Sequence, residues 1–321
     1  MNFVFEAFVT DIVSDGAKVA FALGDGTVAW EDGARVEAHD GSILCAAAHP
    51  SGDGVITGGD DGRLVWCVGG EARTLASAPR RWIDALAVSR TYGLIAYSTG
   101  REAHVLDAKA ADFERVFAHE ASVAALAFDP KGRRLASATY GGVALWYARI
   151  AEQKPVMLRW AGSHISLAFS PDGRFLVSSM QESALHGWRL ADARDMRMGG
   201  YPAKVRSLAF LGDGWLATSG ANGAVLWPFA GANGPMGKQA MEIGWDETAL
   251  VTRVAGDTRG EHLVAGLDDG RIWTFHLASE RRVTLRAERG PPICALAVVG
   301  TGRVAWGDEA GAAGIIDMAA V

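Results

Sequence analysis

Two pairs of adjacent carboxylates, Asp60-Asp61 and Asp268-Asp269, are the first places in this chain where a divalent cation could be held. Each pair runs straight into a glycine, as Asp61-Gly62 and Asp269-Gly270, and turn chemistry accounts for both, because Asp tolerates the conformations of a tight turn. His39, His119 and His164 stand just before apolar alternating runs, where structural hydrogen bonding is the expected role. His49, His104, His186, His262 and His276 are scattered and not at metal-ligand spacing. Cys45, Cys67 and Cys294 each lie inside an apolar run. An odd, sparse set of this kind reads as buried thiols in a reducing compartment rather than a disulfide framework or a zinc site. No Gly-x-Ser-x-Gly elbow, phosphate-binding loop or His-Glu-x-x-His motif occurs. The glycine-rich stretch from Gly231 to Gly237 is not followed by a helical pattern, so it reads as a loop. The expectation is a chain with no catalytic residues, no metal and no cofactor.

The aromatic residues carry more information. Of eleven Trp, most sit on strand-like runs: Trp30, Trp66, Trp146, Trp188, Trp227 and Trp273 on one kind, Trp215 and Trp306 on another. Trp82, Trp160 and Trp245 differ, since they fall in polar connections: Arg80-Arg81-Trp82, Arg159-Trp160 and Trp245-Asp246-Glu247, with Tyr201 in a similar place. Trp, Tyr and Arg are the residue types that dominate interface energies. The alternative is that each Trp folds over as a plug.

What positions these residues is a repeat. An apolar run, a turn, a second run, a second turn and a third run ending in a large apolar residue recur at 8–30, 43–66, 84–106, 123–146, 165–188, 205–227, 250–275 and 293–316. The anchors Trp30, Trp66, Leu106, Trp146, Trp188, Trp227, Phe275 and Ile316 are spaced by 36, 40, 40, 42, 39, 48 and 41 residues. Pro50 to Gly52, Pro130 to Gly132 and Pro171 to Gly173 mark first hairpins; Asp25-Gly26, Asp61-Gly62, Asn222-Gly223 and Asp269-Gly270 mark second ones. Short strands at a period near 40, with no helical stretch, predict blades around an axis. Such an architecture lets 321 residues form one unit spanning 1–321, because each blade buries its faces against its neighbours.

The segments LAFSPDGRFLVSS and LAFDPKGRRLASA, with the terminal Trp, resemble the WD-repeat (WD40) β-propeller family, most like bacterial members given the Ala-, Gly- and Arg-rich usage. The resemblance implies an all-β single propeller of about eight four-stranded blades, seven being the alternative. Arg35 to Glu37, Arg115 to Phe117 and Val156 to Leu158 would be outer strands. Asp317 to Val321 is too short to supply the last one, so Asn2 to Glu6 is expected to pair with the last blade and close the ring. Family members can join a His, a Ser or Thr, an Asp and the Trp in a structural hydrogen-bond network. His39, Thr57, Asp61 and Trp66 look like this set, as do His119, Ser137 and Trp146. Several copies have one residue fewer before the Trp than the family pattern, and a one-residue shift turns a side chain to the other face, so at most one or two intact copies are expected.

The function implied is a non-catalytic scaffold or adaptor, cytoplasmic and monomeric. It would bind a protein or peptide on one rim through Arg81, Trp82, Arg159, Trp160, Tyr201 and Trp245. A metal-dependent propeller hydrolase with an axial site and a small-ligand sensor are the alternatives. The net charge of −6 and the lack of a basic block argue against nucleic acid, and no run is long and apolar enough to span a membrane.

Overall fold

A computed structural model describes residues 1–15, 18–212, 214–257, 259–300 and 302–318. The chain forms two compact units, one of residues 10–169 and one of residues 1–9 with 170–321.

In the unit of residues 10–169, the strands Val9–Ser14, Val19–Leu23, Thr27–Trp30 and Arg35–Glu37 form one four-stranded sheet. Ile43–Ala48, Val55–Gly59, Arg63–Val68 and Glu71–Ser77 form the next, and Leu86–Ser89, Leu94–Thr99, Glu102–Asp107 and Ala110–Ala118 a third. Ala125–Phe128, Arg134–Tyr147 and Val156–Phe169 follow. The second strands of the first three sheets, Val19–Leu23, Val55–Gly59 and Leu94–Thr99, are buried along their whole length, because both faces of each sheet are covered. The core accordingly lies between consecutive sheets. Val13, Ala20 and Val28 of the first sheet pack with Ile43, Val55 and Val65 of the second. Ile56 and Leu64 pack with Ile83, Ile95 and Tyr97.

The unit of residues 1–9 and 170–321 repeats the plan. Phe175–Met180, Leu185–Arg189 and Arg194–Met198 pair in order. The next two sheets are Leu208–Leu211, Trp215–Thr218, Ala224–Pro228 and Met241–Ile243, then Val251–Gly256, His262–Leu267, Ile272–His276 and Arg281–Arg286. The last is Ile293–Val299, Arg303–Asp308 and Ala312–Asp317, with Asn2–Val4 as its outer strand. The expected N-terminal strand is therefore present, in the register Asn2 to Gly314, Phe3 to Ala313 and Val4 to Ala312, ending two residues before the expected Glu6. The Met1 ammonium donates to Ile315 O at 2.8 Å and Phe5 N to Gly311 O at 2.9 Å. Of the tail expected to be too short for a strand, Asp317 ends the strand Ala312–Asp317, and residues 319–321 lie outside the described residues.

Among the described residues, hydrogen bonding sorts the strands into seven sheets, the alternative number rather than the eight expected. The reason is local. Six sheets have four strands, and one has six, drawn from the two repeat units 123–146 and 165–188. Two of its strands, Arg134–Tyr147 and Val156–Phe169, are 14 residues long. The first folds back on itself, since Ser137 Oγ donates to Ala144 O at 3.3 Å across seven residues. Straight β chain of that length would span about 23 Å.

Candidate interaction surfaces

The side chains of the expected networks come from the loop before each first strand, the second strand, the turn after it and the third strand. His39 Nδ1 donates to Asp61 Oδ1 at 2.9 Å, and its Nε2 is 2.8 Å from Thr57 Oγ1. Asp61 also accepts from Arg63 N at 3.0 Å and Arg63 Nε at 2.7 Å. Burial by itself would raise the Asp61 carboxyl, but the Arg63 and His39 hydrogen bonds overcome it and hold it at about 2. Trp66 stays outside this set. Its Nε1 donates to Asp53 O at 2.9 Å, and its ring lies between His49, stacked at 4.1 Å, and the Arg73 guanidinium at 5.6 Å. In the second copy Trp146 is a member: its Nε1 donates to His119 Nε2 and to Ser137 Oγ, both at 3.2 Å, and His119 and Ser137 are 2.6 Å apart. Burial lowers the His119 pKa, keeping the imidazole in the neutral form that can accept from Trp146.

A third copy escaped the sequence reading. Tyr201 OH lies 2.7 Å from Thr218 Oγ1 and accepts from Trp227 Nε1 at 2.6 Å. Tyr201 stands where His119 stands in its own unit, and it is buried. Its grouping with exposed rim residues is therefore corrected: the phenol is held inward by two hydrogen bonds, and burial pushes its pKa up to about 12. The signal that could have found it is the spacing Thr218 to Trp227, the same as Ser137 to Trp146.

Register explains why Trp66 differs. Opposite Ser178 stands His186, with Trp188 two further on and so on the same face. Opposite Thr218 stands Val225, with Trp227 again two further on. Opposite Thr57 stands Val65, and Trp66 is the next residue, hence on the other face.

Of the remaining site residues, Arg81, Trp82 and Trp245 sit in loops that lead into first strands, whereas Arg159 and Trp160, expected in a connection, lie within the strand Val156–Phe169, where Arg159 pairs with Gly142. In the unit of residues 10–169, Arg81 and Trp82 are exposed, Trp82 at 63%. Arg81 donates to Glu102 Oε2 at 2.7 Å. Arg159 is exposed, while Trp160 is half-buried and its carbonyl accepts from His164 Nε2 at 3.1 Å. Arg159 lines a cleft of about 460 Å³ with His119, Glu120, Tyr140, Trp146 and Met157. In the unit of residues 1–9 and 170–321, Trp245 is 61% exposed. It lines a cleft of about 500 Å³ with Tyr201, Trp227, Lys238, Met241 and Glu242.

Among the described residues one group brings three possible metal-ligand atoms within 4.8 Å of one another, Asp257, Glu261 and His262. The Asp257 carboxylate is taken up by Glu261 N at 2.8 Å and by His262 Nδ1 at 3.0 Å. Asp129 does the same work in its own first hairpin, accepting from Arg133 N at 2.7 Å and Arg134 N at 2.9 Å, so the trio is turn chemistry. The thiols are free. Burial pushes the Cys45 thiol up, and Cys67 and Cys294 up to about 12 and about 11. Cys67 is fully buried, whereas Cys45 and Cys294 are half-buried as residues, with sulfurs directed at Ile83 O and Val9 O. No helix among the described residues is long and apolar enough to cross a membrane.

No curated protein matches this sequence. Among solved structures, the crystal structure of the computationally designed Ika8 protein, crystal packing No.1 in P63, is similar, with a TM-score of 0.78 at 18% identity. The match covers 98% of this chain and 97% of that one, a likeness of fold alone. Residues 31–66, 112–146 and 159–188 match the family model for the WD domain, G-beta repeat. With four-stranded antiparallel sheets repeating along the sequence, the chain is a β-propeller that carries WD40 repeats in these three places.

Proposed function

We propose that this protein is a non-catalytic interaction scaffold, binding a protein or peptide through the loops that lead into its first strands. The observation that carries the reading is the exposure of Trp82 and Trp245, at 63% and 61%, in loops held by their own hydrogen bonds. A Trp left in water offers a partner a large apolar area at little ordering cost, and such residues anchor interfaces. Asp246, next to Trp245, accepts from Thr248 N at 2.9 Å and from Arg271 at 2.8 Å, so that loop is fixed before any partner arrives. We read the protein as monomeric. A reducing compartment such as the cytoplasm fits three free thiols.

We further propose eight blades closed by the N-terminal strand. Support comes from the eight repeat units of the sequence and from the back-folded 14-residue strand, which makes two strands of one within the six-stranded sheet. The strand Asn2–Val4 on Ala312–Asp317 supports the closure.

The test compares partner capture by the wild type with Trp82→Ala and Trp245→Ala, read by mass spectrometry beside melting curves. Captured proteins should disappear in at least one variant while the melting temperature stays within about 2 °C, since exposed substitutions cost little. Unchanged capture in both variants refutes the scaffold surface. A large drop in melting temperature would instead make each Trp a plug.

A further inference from the structure

The loop that carries Trp82 holds more positive charge than it neutralises. Ala78-Pro79-Arg80-Arg81 is a tight turn closed by Arg81 N donating to Ala78 O at 3.1 Å. Proline presets its first corner, and the second corner, with φ 66°, is Arg80. That corner normally takes glycine, and a side chain there is strained. The loop is nonetheless fixed at both ends, by Ala78 N to Gly62 O at 2.8 Å and Ile83 N to Gly59 O at 3.1 Å. Strain kept at an exposed, rigid position calls for a use of the side chain it displays.

The display is basic. Arg80, Arg81, Trp82 and Arg101 are all exposed. Arg81 is joined to Glu102 at 2.7 Å, which ties the loop to the hairpin holding Arg101. Among the described residues neither the Arg80 nor the Arg101 guanidinium has a carboxylate partner. The acidic groups on these elements are Glu102, already taken by Arg81, and Asp84, which accepts from Ser98 Oγ at 3.0 Å. Two guanidinium groups without a carboxylate partner among the described residues, one on the Trp82 loop and one on the hairpin tied to that loop, stand out on a chain whose net charge is −6.

We propose that this surface binds an acidic peptide segment of a partner protein, with Asp or Glu carboxylates on Arg80 and Arg101 and an apolar or aromatic side chain against Trp82. Guanidinium offers a planar fork of donors that matches a carboxylate, and charge-assisted bonds of this kind are strong. The proposal rests on the scaffold reading and names the chemistry of its partner.

The experiment presents the full chain with an array of short synthetic peptides in four matched sets. One is rich in Asp and Glu around a Phe, one replaces these with Asn and Gln, one with Lys and Arg, and one carries phosphoserine on a neutral background. The acidic set should be retained, with the amide set weaker by about tenfold and with binding falling as salt rises. Arg80→Gly combined with Arg101→Ala should lose about tenfold on the acidic set without lowering the melting temperature, since glycine relieves the turn. Equal retention of the amide set, retention of phosphoserine peptides alone, or wild-type affinity in the double variant overturns the proposal. If no set is retained the acidic-peptide proposal also fails, while the scaffold reading is still decided separately by partner capture with Trp82→Ala and Trp245→Ala.

Discussion

Asp61 shows how one side chain can serve three neighbours. Its Oδ1 accepts from His39 and from Arg63 N, its Oδ2 from Arg63 Nε and from Asp40 N, and its side chain is 13% exposed. Its carboxyl is held at about 2, against 3.8 when unperturbed. The stabilisation is complete above about pH 4 and disappears as pH falls through 2, because the folded form resists the proton that the unfolded form accepts. Asp61→Asn should cost about 2 kcal/mol at neutral pH and flatten the loss of stability between pH 4 and 2, followed by urea melts across that range. The partnership of His39, Thr57 and Asp61 was legible in the sequence as residue types at family positions. The exclusion of Trp66 was not. Thr57 to Trp66, Ser137 to Trp146 and Thr218 to Trp227 have the same spacing, and only the register of the second hairpin decides which face each Trp takes.

At the level of strands and turns, the punctuation of the sequence was informative. The Pro-Asp-Gly at Pro171 to Gly173 sits in a hairpin with Gly173 at φ 70°, and Arg35–Glu37 is a strand as expected. The six-stranded sheet was hidden because it depends on backbone bonds rather than on side-chain pattern. The second hairpin at Gly62 bears directly on the Trp82 loop. Gly62 has φ 77°, and a Cβ there would lie 2.3 Å from Ala78 O and 2.6 Å from Arg81 O. Gly69 also has positive φ, at 60°, but a Cβ there would meet nothing within 4 Å. Gly69→Ala should therefore cost about 1 kcal/mol and Gly62→Ala at least twice that, as measured by chemical denaturation. Gly62→Ala should also shift Trp82 fluorescence, because the loop it displaces begins at Ala78.

For the molecule as a whole, the pairing of Asn2–Val4 with Ala312–Asp317 is the connection with the greatest reach along the chain. Its signal was legible, since a run of strand character preceded the first unit while the final unit lacked an outer strand. The position of binding residues was less so: Tyr201 and Trp245 look alike in the sequence, yet one is buried and the other exposed. What separates them is a hydroxyl that finds Thr218 and Trp227. Removal of residues 1–7 should lower the melting temperature by several degrees, about the effect of losing one to two kcal/mol in a domain of this size. An unchanged melting curve would show that this outer strand contributes nothing to cohesion.

That same pairing joins residues made far apart in time. During translation Ala312–Asp317 leaves the ribosome long after Asn2–Val4, so the earlier strand spends that interval without its partner. A nascent chain stalled before residue 312 would carry Asn2–Val4 as a bare strand edge, open to other strands.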